Sequence, residues 1–281
     1  MFTLKDSKSR KDRAILVNWL EDRVAQNRRQ PFKNLFIAIT LIFIFKIKCK
    51  ELIWIRHNIK PHVNNQSVIQ TFCYNILFVL LKLFSTKIVT HRKVEDLDSK
   101  VIPHPLYSSN IDFVRDRDIE YICFGKIMRY KNIPKMLKDW PSNKKLLLIG
   151  YCDDSELDLE ITSIISDNKN IEYVNKFVGE KELNEYIARC KYVLLPHSDN
   201  SMIVSGAFYH AISLGANVIS SRNDFSRHIE AKHKFVSIVD DFSADSLEQI
   251  QYYEPKVVIQ SAYSFYGEPV IKKSWKEFLG I

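Results

Sequence analysis

The chain has 281 residues, 46% of them hydrophobic and 26% charged, a composition that suits one or two globular domains and excludes a disordered or fibrous chain. Its net charge of +8 is unevenly spread: residues 1–115 carry 20 Lys and Arg against 9 Asp and Glu, a balance of +11 that leaves −3 for the remainder. Five scattered cysteines (Cys49, Cys73, Cys123, Cys152 and Cys190) form no CxxC and no Cys/His cluster, which argues against a zinc module and points to a reducing compartment.

A basic first half joined to a mildly acidic second half suggests that the first half alone meets a polyanion: anionic lipid, a lipid diphosphate or nucleic acid. A solvated surface that is merely basic is the alternative. The basic residues are dispersed and no helix-turn-helix, zinc-finger or aromatic RNA-binding signature is present, so nucleic acid is not an expected partner.

In chain order, the first apolar run of note is Leu35 to Phe45, bracketed by Lys33 and by Lys46, Lys48 and Lys50. Its 11 residues fall well short of the ~20 that span a bilayer. Nor does it have the position or cleavage site of a signal peptide, so no export is expected. It reads as a helix, either buried on a sheet or lying in a headgroup layer with its lysines reaching phosphates.

Short β-branched runs alternate with amphipathic stretches along most of the chain, the pattern of a parallel α/β fold. Strands are expected at 14–18, 52–56, 87–90 and 100–103, with helices near 32–47 and 66–84. A second series follows, with strands at 119–124, 145–150, 171–174, 192–195, 217–220 and 235–239. Its helices fall near 132–140, 155–167, 180–190, 204–214 and 243–252. The polar stretch 107–118 between the series reads as a linker. The expected division is an N-terminal domain at 1–112, a second domain at 113–265, and a C-terminal helix at 266–281 packing back toward the first.

In a doubly wound sheet, ligands sit at the carboxyl ends of strands. Three loops there carry candidate chemistry. In Phe124-Gly125-Lys126-Ile127-Met128-Arg129-Tyr130-Lys131, Gly125 permits a close turn and Arg129 and Lys131 offer two cations for a diphosphate. Solvated cations on a surface loop would look the same. After Leu195, a polar loop containing His197 leads to Ser205-Gly206, which opens a helix whose amides and dipole form an anion site, or simply cap the helix. His57, Asn58 and His62 leave an apolar strand in Trp54-Ile55-Arg56-His57-Asn58-Ile59-Lys60-Pro61-His62. Five-residue histidine spacing across a proline loop without a nearby carboxylate or thiol argues against a metal, leaving a contact to a sugar hydroxyl or leaving phosphate, or a histidine satisfying its own turn.

These elements, IWIRHNIKPH (53–62), VIPHPLY (101–107), FGKIMRYK (124–131) and LLPHSDNSMIVSGAFYHAISLGANVI (194–219), resemble the bacterial branch of retaining GT-B glycosyltransferases, family 4-like or group 1, that builds surface polysaccharides. The likeness runs from about residue 50 to the end. It implies two Rossmann-like domains, with the donor nucleotide diphosphate held by Gly125, Arg129, Lys131, Ser205 and Gly206, His210 reaching the ribose, and His57 the catalytic contact to the transferred sugar across an interdomain cleft. It further implies a UDP- or GDP-sugar donor without metal or cofactor, a polyprenyl-diphosphate-linked glycan acceptor, and cytoplasmic work against the anionic inner face of the membrane. Two departures stand out. Where the wider family has a Glu-x7-Glu pattern, Met202 and His210 stand here. The run 15–22 resembles a later strand of the first domain, so that domain is expected to be shortened, with a degenerate, non-catalytic relative as the alternative.

Overall fold

The structure, a computed structural model, describes residues 14–21, 30–59, 67–95, 97–107, 116–200 and 202–281. The chain divides into two compact units: unit 1 comprises residues 1–103, 201–204 and 278–280, and unit 2 comprises 104–200, 205–277 and Ile281. Of the expected linker at 107–118, residues 108–115 lie outside the described ones.

Unit 1 runs β1 (Ala14–Asn18), α1 (Pro31–Lys48), β2 (Glu51–Ile55), α2 (Val68–Phe84), β3 (Lys87–Thr90) and β4 (Lys100–Val101), with a parallel sheet in the order β1-β2-β3-β4. The register sets Leu16 against Ile53 and Val17 against Trp54. Leu52, Ile53 and Trp54 of β2 are all buried, as a central parallel strand requires. Pro31 opens α1 at a position where its missing N–H costs nothing. A capping box starts α2: Ser67 Oγ accepts from the Gln70 N–H, and Gln70 Oε1 accepts from the Ser67 N–H. Leu35, Ala38, Ile42 and Phe45 of α1 join Cys73, Leu77 and Leu81 of α2 in one core over the sheet. Strand β4 is shorter than expected because Pro103 has no N–H for a ladder.

Unit 2 contains β5 (Ile119–Phe124), α3 (Ile133–Asp139), β6 (Leu146–Ile149), α4 (Ser155–Ile165), β7 (Ile171–Val174), α5 (Glu180–Ala188), β8 (Cys190–Leu195), α6 (Gly206–Ser213), β9 (Asn217–Ser221), α7 (Asp224–Glu230), β10 (Val236–Val239), α8 (Ala244–Glu248), α9 (Pro255–Tyr266) and all but the last two residues of α10 (Glu268–Leu279). Its six strands are parallel in the order β10-β9-β8-β5-β6-β7. The winding reverses between β5 and β8, which makes the carboxyl ends of those two strands the topological switch point. The expected helix at 243–252 stops at Glu248. Beyond it, Tyr253 exchanges hydrogen bonds with the Asn217 side chain, and Pro255 starts α9, a helix the sequence reading did not anticipate.

Buried His233 makes contacts from both ring nitrogens, Nε2 with the Tyr266 hydroxyl at 2.8 Å and Nδ1 with Ser261 Oγ at 3.3 Å. Burial, with Lys232 and His228 nearby, pushes its pKa down to about 4. An unfolded imidazole titrates near ~6.5, so between these values the unfolded chain binds the extra proton. The stability present above pH ~6.5 is therefore lost as pH falls toward ~4, by about 3 kcal/mol in all. A His233→Gln variant is expected to flatten the dependence of the urea midpoint on pH over this window; an unchanged slope would refute the assignment.

Candidate functional site

At the end of β5 the chain turns through Gly125, whose φ of +90° lies in the region that favours glycine. The turn is pinned by the Gly125 N–H to Ile149 O at 3.1 Å and the Ile127 N–H to Tyr151 O at 2.9 Å. The loop then closes in a short 3-10 turn at Arg129–Lys131, and Asn132 adopts a left-handed conformation to launch α3.

The three cations of this loop have different fates. Lys126 pairs with Asp153 at 2.9 Å in the open. Arg129 grips Asp154 with both arms of its fork, Nε to Oδ2 at 2.7 Å and Nη2 to Oδ1 at 2.8 Å, and also reaches Glu156 at 3.2 Å. Asp154 is itself the N-cap of α4, accepting from the Leu157 N–H, and the hydrogen bonds from Arg129 hold its carboxyl below the usual range. The guanidinium therefore anchors a helix start. Sequence showed the cation but not its partner 25 residues away.

Lys131 is different. Its ammonium folds back over Gly125, 3.4 Å from where a Cβ there would stand. Among the described residues no carboxylate pairs with it, and desolvation lowers its pKa. The result is a half-buried, uncompensated cation at the carboxyl end of β5.

On the neighbouring strand β8, the chain exits through His197, buried, with its ring edge-on to Tyr130 at 6.4 Å. Ser205 caps α6, its Oγ accepting from the Phe208 N–H. The amides of Gly206 and Ala207 precede the first intrahelical bond and point out of the helix head. His210 is buried one turn into α6, where Phe124 at the end of β5 meets it edge-on at 5.8 Å. Its Nε2 is hydrogen-bonded to Asn184 Oδ1, and burial lowers its pKa. Gly125 and Lys131 thus lie on the loop that leaves β5, and Ser205, Gly206 and His210 on the head and first turns of the helix that follows β8, with the Phe124–His210 contact joining the two.

Tyr107 was not singled out from the sequence, although it ends one of the matching motifs. Its ring stacks on His210 with centroids 4.8 Å apart and planes within 11°, and its N–H donates to Ser213 Oγ. Its hydroxyl lies 2.9 Å from where a Cβ on Gly206 would stand. Glycine at 206 is what lets the phenol approach the helix head.

In unit 1, His57 is buried directly after β2, stacked face to face on Trp19 at 4.1 Å and beside His91 at 4.9 Å. Arg56 fixes the following turn by donating to Asn58 O and Ile59 O, and the Ile203 N–H donates to His57 O. Asn58 forms a bridge with Met202; its buried Nδ2 has no hydrogen-bond partner among the described residues. His62 lies outside the described residues. Among the described residues no group of three or more His, Cys, Asp or Glu is placed to hold a metal ion.

No family model and no curated protein matches the sequence. Solved structures do match. Anabaena HepE in complex with UDP superposes with a TM-score of 0.62 at 12% identity, over 89% of this chain and 77% of that one. Sucrose-phosphate synthase from Thermosynechococcus elongatus gives 0.61 at 11% identity, over 94% and 72%. AviGT4, a glycosyltransferase involved in avilamycin A biosynthesis, gives 0.54 at 17% identity, over 69% of this chain and 63% of that one. The fold is that of the GT-B glycosyltransferases. Within the GT-B fold, the two Rossmann-like domains correspond to two parallel sheets, of four and six strands here.

Proposed function

We propose that the chain is a glycosyltransferase that takes a sugar from a UDP- or GDP-linked donor, and that unit 2 holds the donor diphosphate between Lys131 and the amides at the head of α6. The observation that carries this reading is Lys131: a half-buried ammonium with no carboxylate partner among the described residues, at the carboxyl end of β5, which adjoins β8 at the switch point of a doubly wound sheet. The GT-B fold and a neighbour crystallised with UDP support it.

As the sugar leaves, negative charge grows on the nucleotide diphosphate, and a fixed cation with helix amides lowers the barrier by meeting that charge where it develops. Arg129 acts indirectly, holding Asp154 and so the start of α4. His210 with Tyr107 is assigned to the ribose, in place of a glutamate, and His57 to the transferred sugar. The finer reading follows the motif resemblance: retention of configuration, a polyprenyl-diphosphate-linked glycan acceptor, and a role in surface polysaccharide synthesis (O-antigen, capsule or exopolysaccharide) at the cytoplasmic face of the membrane. No metal or cofactor is part of this reading.

The test is calorimetric titration and thermal shift with UDP, GDP and their sugars. A ligand present well above its Kd raises the midpoint by mass action, so one nucleotide is expected to shift it and the other to shift it less. If neither binds, the donor site is wrong. A second reading, a nucleotide-sugar-binding protein without turnover, is favoured by Met202 and His210 standing where the motif has glutamates. Binding without donor hydrolysis or transfer across a panel of lipid-linked acceptors would select it.

A further inference from the structure

Helices α1 and α2 are apolar on two faces, and only one of these is used. On α1, Leu35, Ala38, Ile42 and Phe45 are buried against the core. On the opposite side, Phe32, Phe36, Phe43 and Ile47 are exposed, at spacings that place them along one stripe. The pattern repeats on α2, where Val68, Phe72, Val79 and Leu83 recur at i, i+4, i+11 and i+15 and are exposed while Cys73, Leu77 and Leu81 are buried. The two exposed stripes belong to helices in side-by-side contact, with the Phe43 and Phe84 rings 5.4 Å apart. Phe36 is 71% exposed, Phe72 57% and Leu83 72%, so the side chains stand out from the surface rather than lying in it. Apolar surface on this scale marks an interaction face.

The charges around the stripes select the occupant. Neither helix contains an Asp or Glu. Lys33 and Lys48 on α1, Lys50 just after it and Lys82 on α2 are exposed, and no carboxylate among the described residues pairs with them. A bare apolar face rimmed by unpaired cations complements a layer that is anionic at its surface and apolar a few ångströms below. No described helix is long and apolar enough to cross a membrane. We infer that α1 and α2 dock unit 1 on an anionic lipid bilayer, lying in the headgroup region with Phe36, Phe72 and Leu83 inserted and the lysines on the phosphates. This inference stands on unit 1 alone and does not rest on the donor reading.

The full chain is tested by co-sedimentation with vesicles of phosphatidylcholine alone and of phosphatidylcholine with phosphatidylglycerol in equal parts. The protein is expected to bind the anionic vesicles, more weakly as salt is raised. The triple variant Phe36→Glu, Phe72→Glu, Leu83→Glu is expected to lower that partition at least about tenfold. Leu159→Glu, at a position 70% exposed on α4 of unit 2, should leave it unchanged. A second variant, Lys33→Gln, Lys48→Gln, Lys82→Gln, touches no apolar contact and should weaken binding to the anionic vesicles; it decides the matter if the glutamate variant lowers the melting midpoint. The inference is overturned if the wild type stays in the supernatant with both vesicles, or if both variants sediment as the wild type does. It is also overturned if the wild type is a dimer that ignores lipid and the glutamate variant makes it monomeric, because the face then belongs to a second copy.

Discussion

Replacing Lys131 with alanine is expected to weaken nucleoside diphosphate binding about 10- to 100-fold, because a charge-assisted hydrogen bond in a partly desolvated site is worth about 1.5–3 kcal/mol. Binding should be lost without loss of fold. The lysine has no ion pair in the described residues to break, and burying it carries a desolvation penalty, so Lys131→Ala should keep or raise the melting midpoint of the free protein. Arg129→Ala should behave in the opposite way. It removes the fork that holds Asp154 at the head of α4, so it should lower the midpoint slightly while leaving affinity within about threefold of the wild type. Titration of UDP and GDP into both variants reads the contrast. Equal losses of affinity would return Arg129 to the phosphate; no loss in Lys131→Ala would remove the carrying observation for the donor site.

That contrast also marks where the sequence stops being legible. Short runs rich in β-branched and aromatic residues between turn signals read as strands, so the limits 14–18, 87–90, 119–124 and 171–174 could be read directly. The Ser205-Gly206 helix start was legible for a similar reason, since a cap and its first turn lie within four residues. The partner of a cation is not local. Arg129 and Lys131 are two positions apart and look alike in the sequence. Only the tertiary fold brings Asp154 to one and leaves the other over Gly125. The stacking of Trp19 on His57 and of Tyr107 on His210 joins residues 38 and 103 positions apart, and no periodic pattern encodes such a pair. Helix α9 was overlooked for a different reason. Its buried residues Val258, Ile259, Ala262 and Tyr266 do have helical spacing, but they follow the irregular segment that pairs with Asn217 and blurs where one helix ends and the next begins. The run at 35–45 reads as either buried or interfacial, and the structure shows a helix with one apolar face buried and another exposed.

Gly150→Ala is expected to cost on the order of 3 kcal/mol or more and to weaken nucleotide binding in the protein that remains folded. A Cβ at this position would stand 2.1 Å from Gly125 O and 2.8 Å from Gly125 C, inside any contact real atoms make. What it meets is backbone, in a turn tied to β6 by the Gly125 N–H to Ile149 O bond, so no rotamer change relieves the overlap. The exits of β5 and β6 must therefore part. Since Lys131 folds over that same Gly125, the displacement moves the cation away from the head of α6, and the loss of stability and the loss of affinity share one cause. Gly179→Ala supplies the comparison. It sits at the start of α5 with nothing within 4 Å of a Cβ and an ordinary backbone φ of −68°, so its effect should stay within about 0.5 kcal/mol. Urea denaturation of the two variants, followed by nucleotide titration, measures both consequences. A Gly150→Ala protein as stable as Gly179→Ala would mean that the two strand exits do not approach as described, and the placement of Lys131 would fall with them.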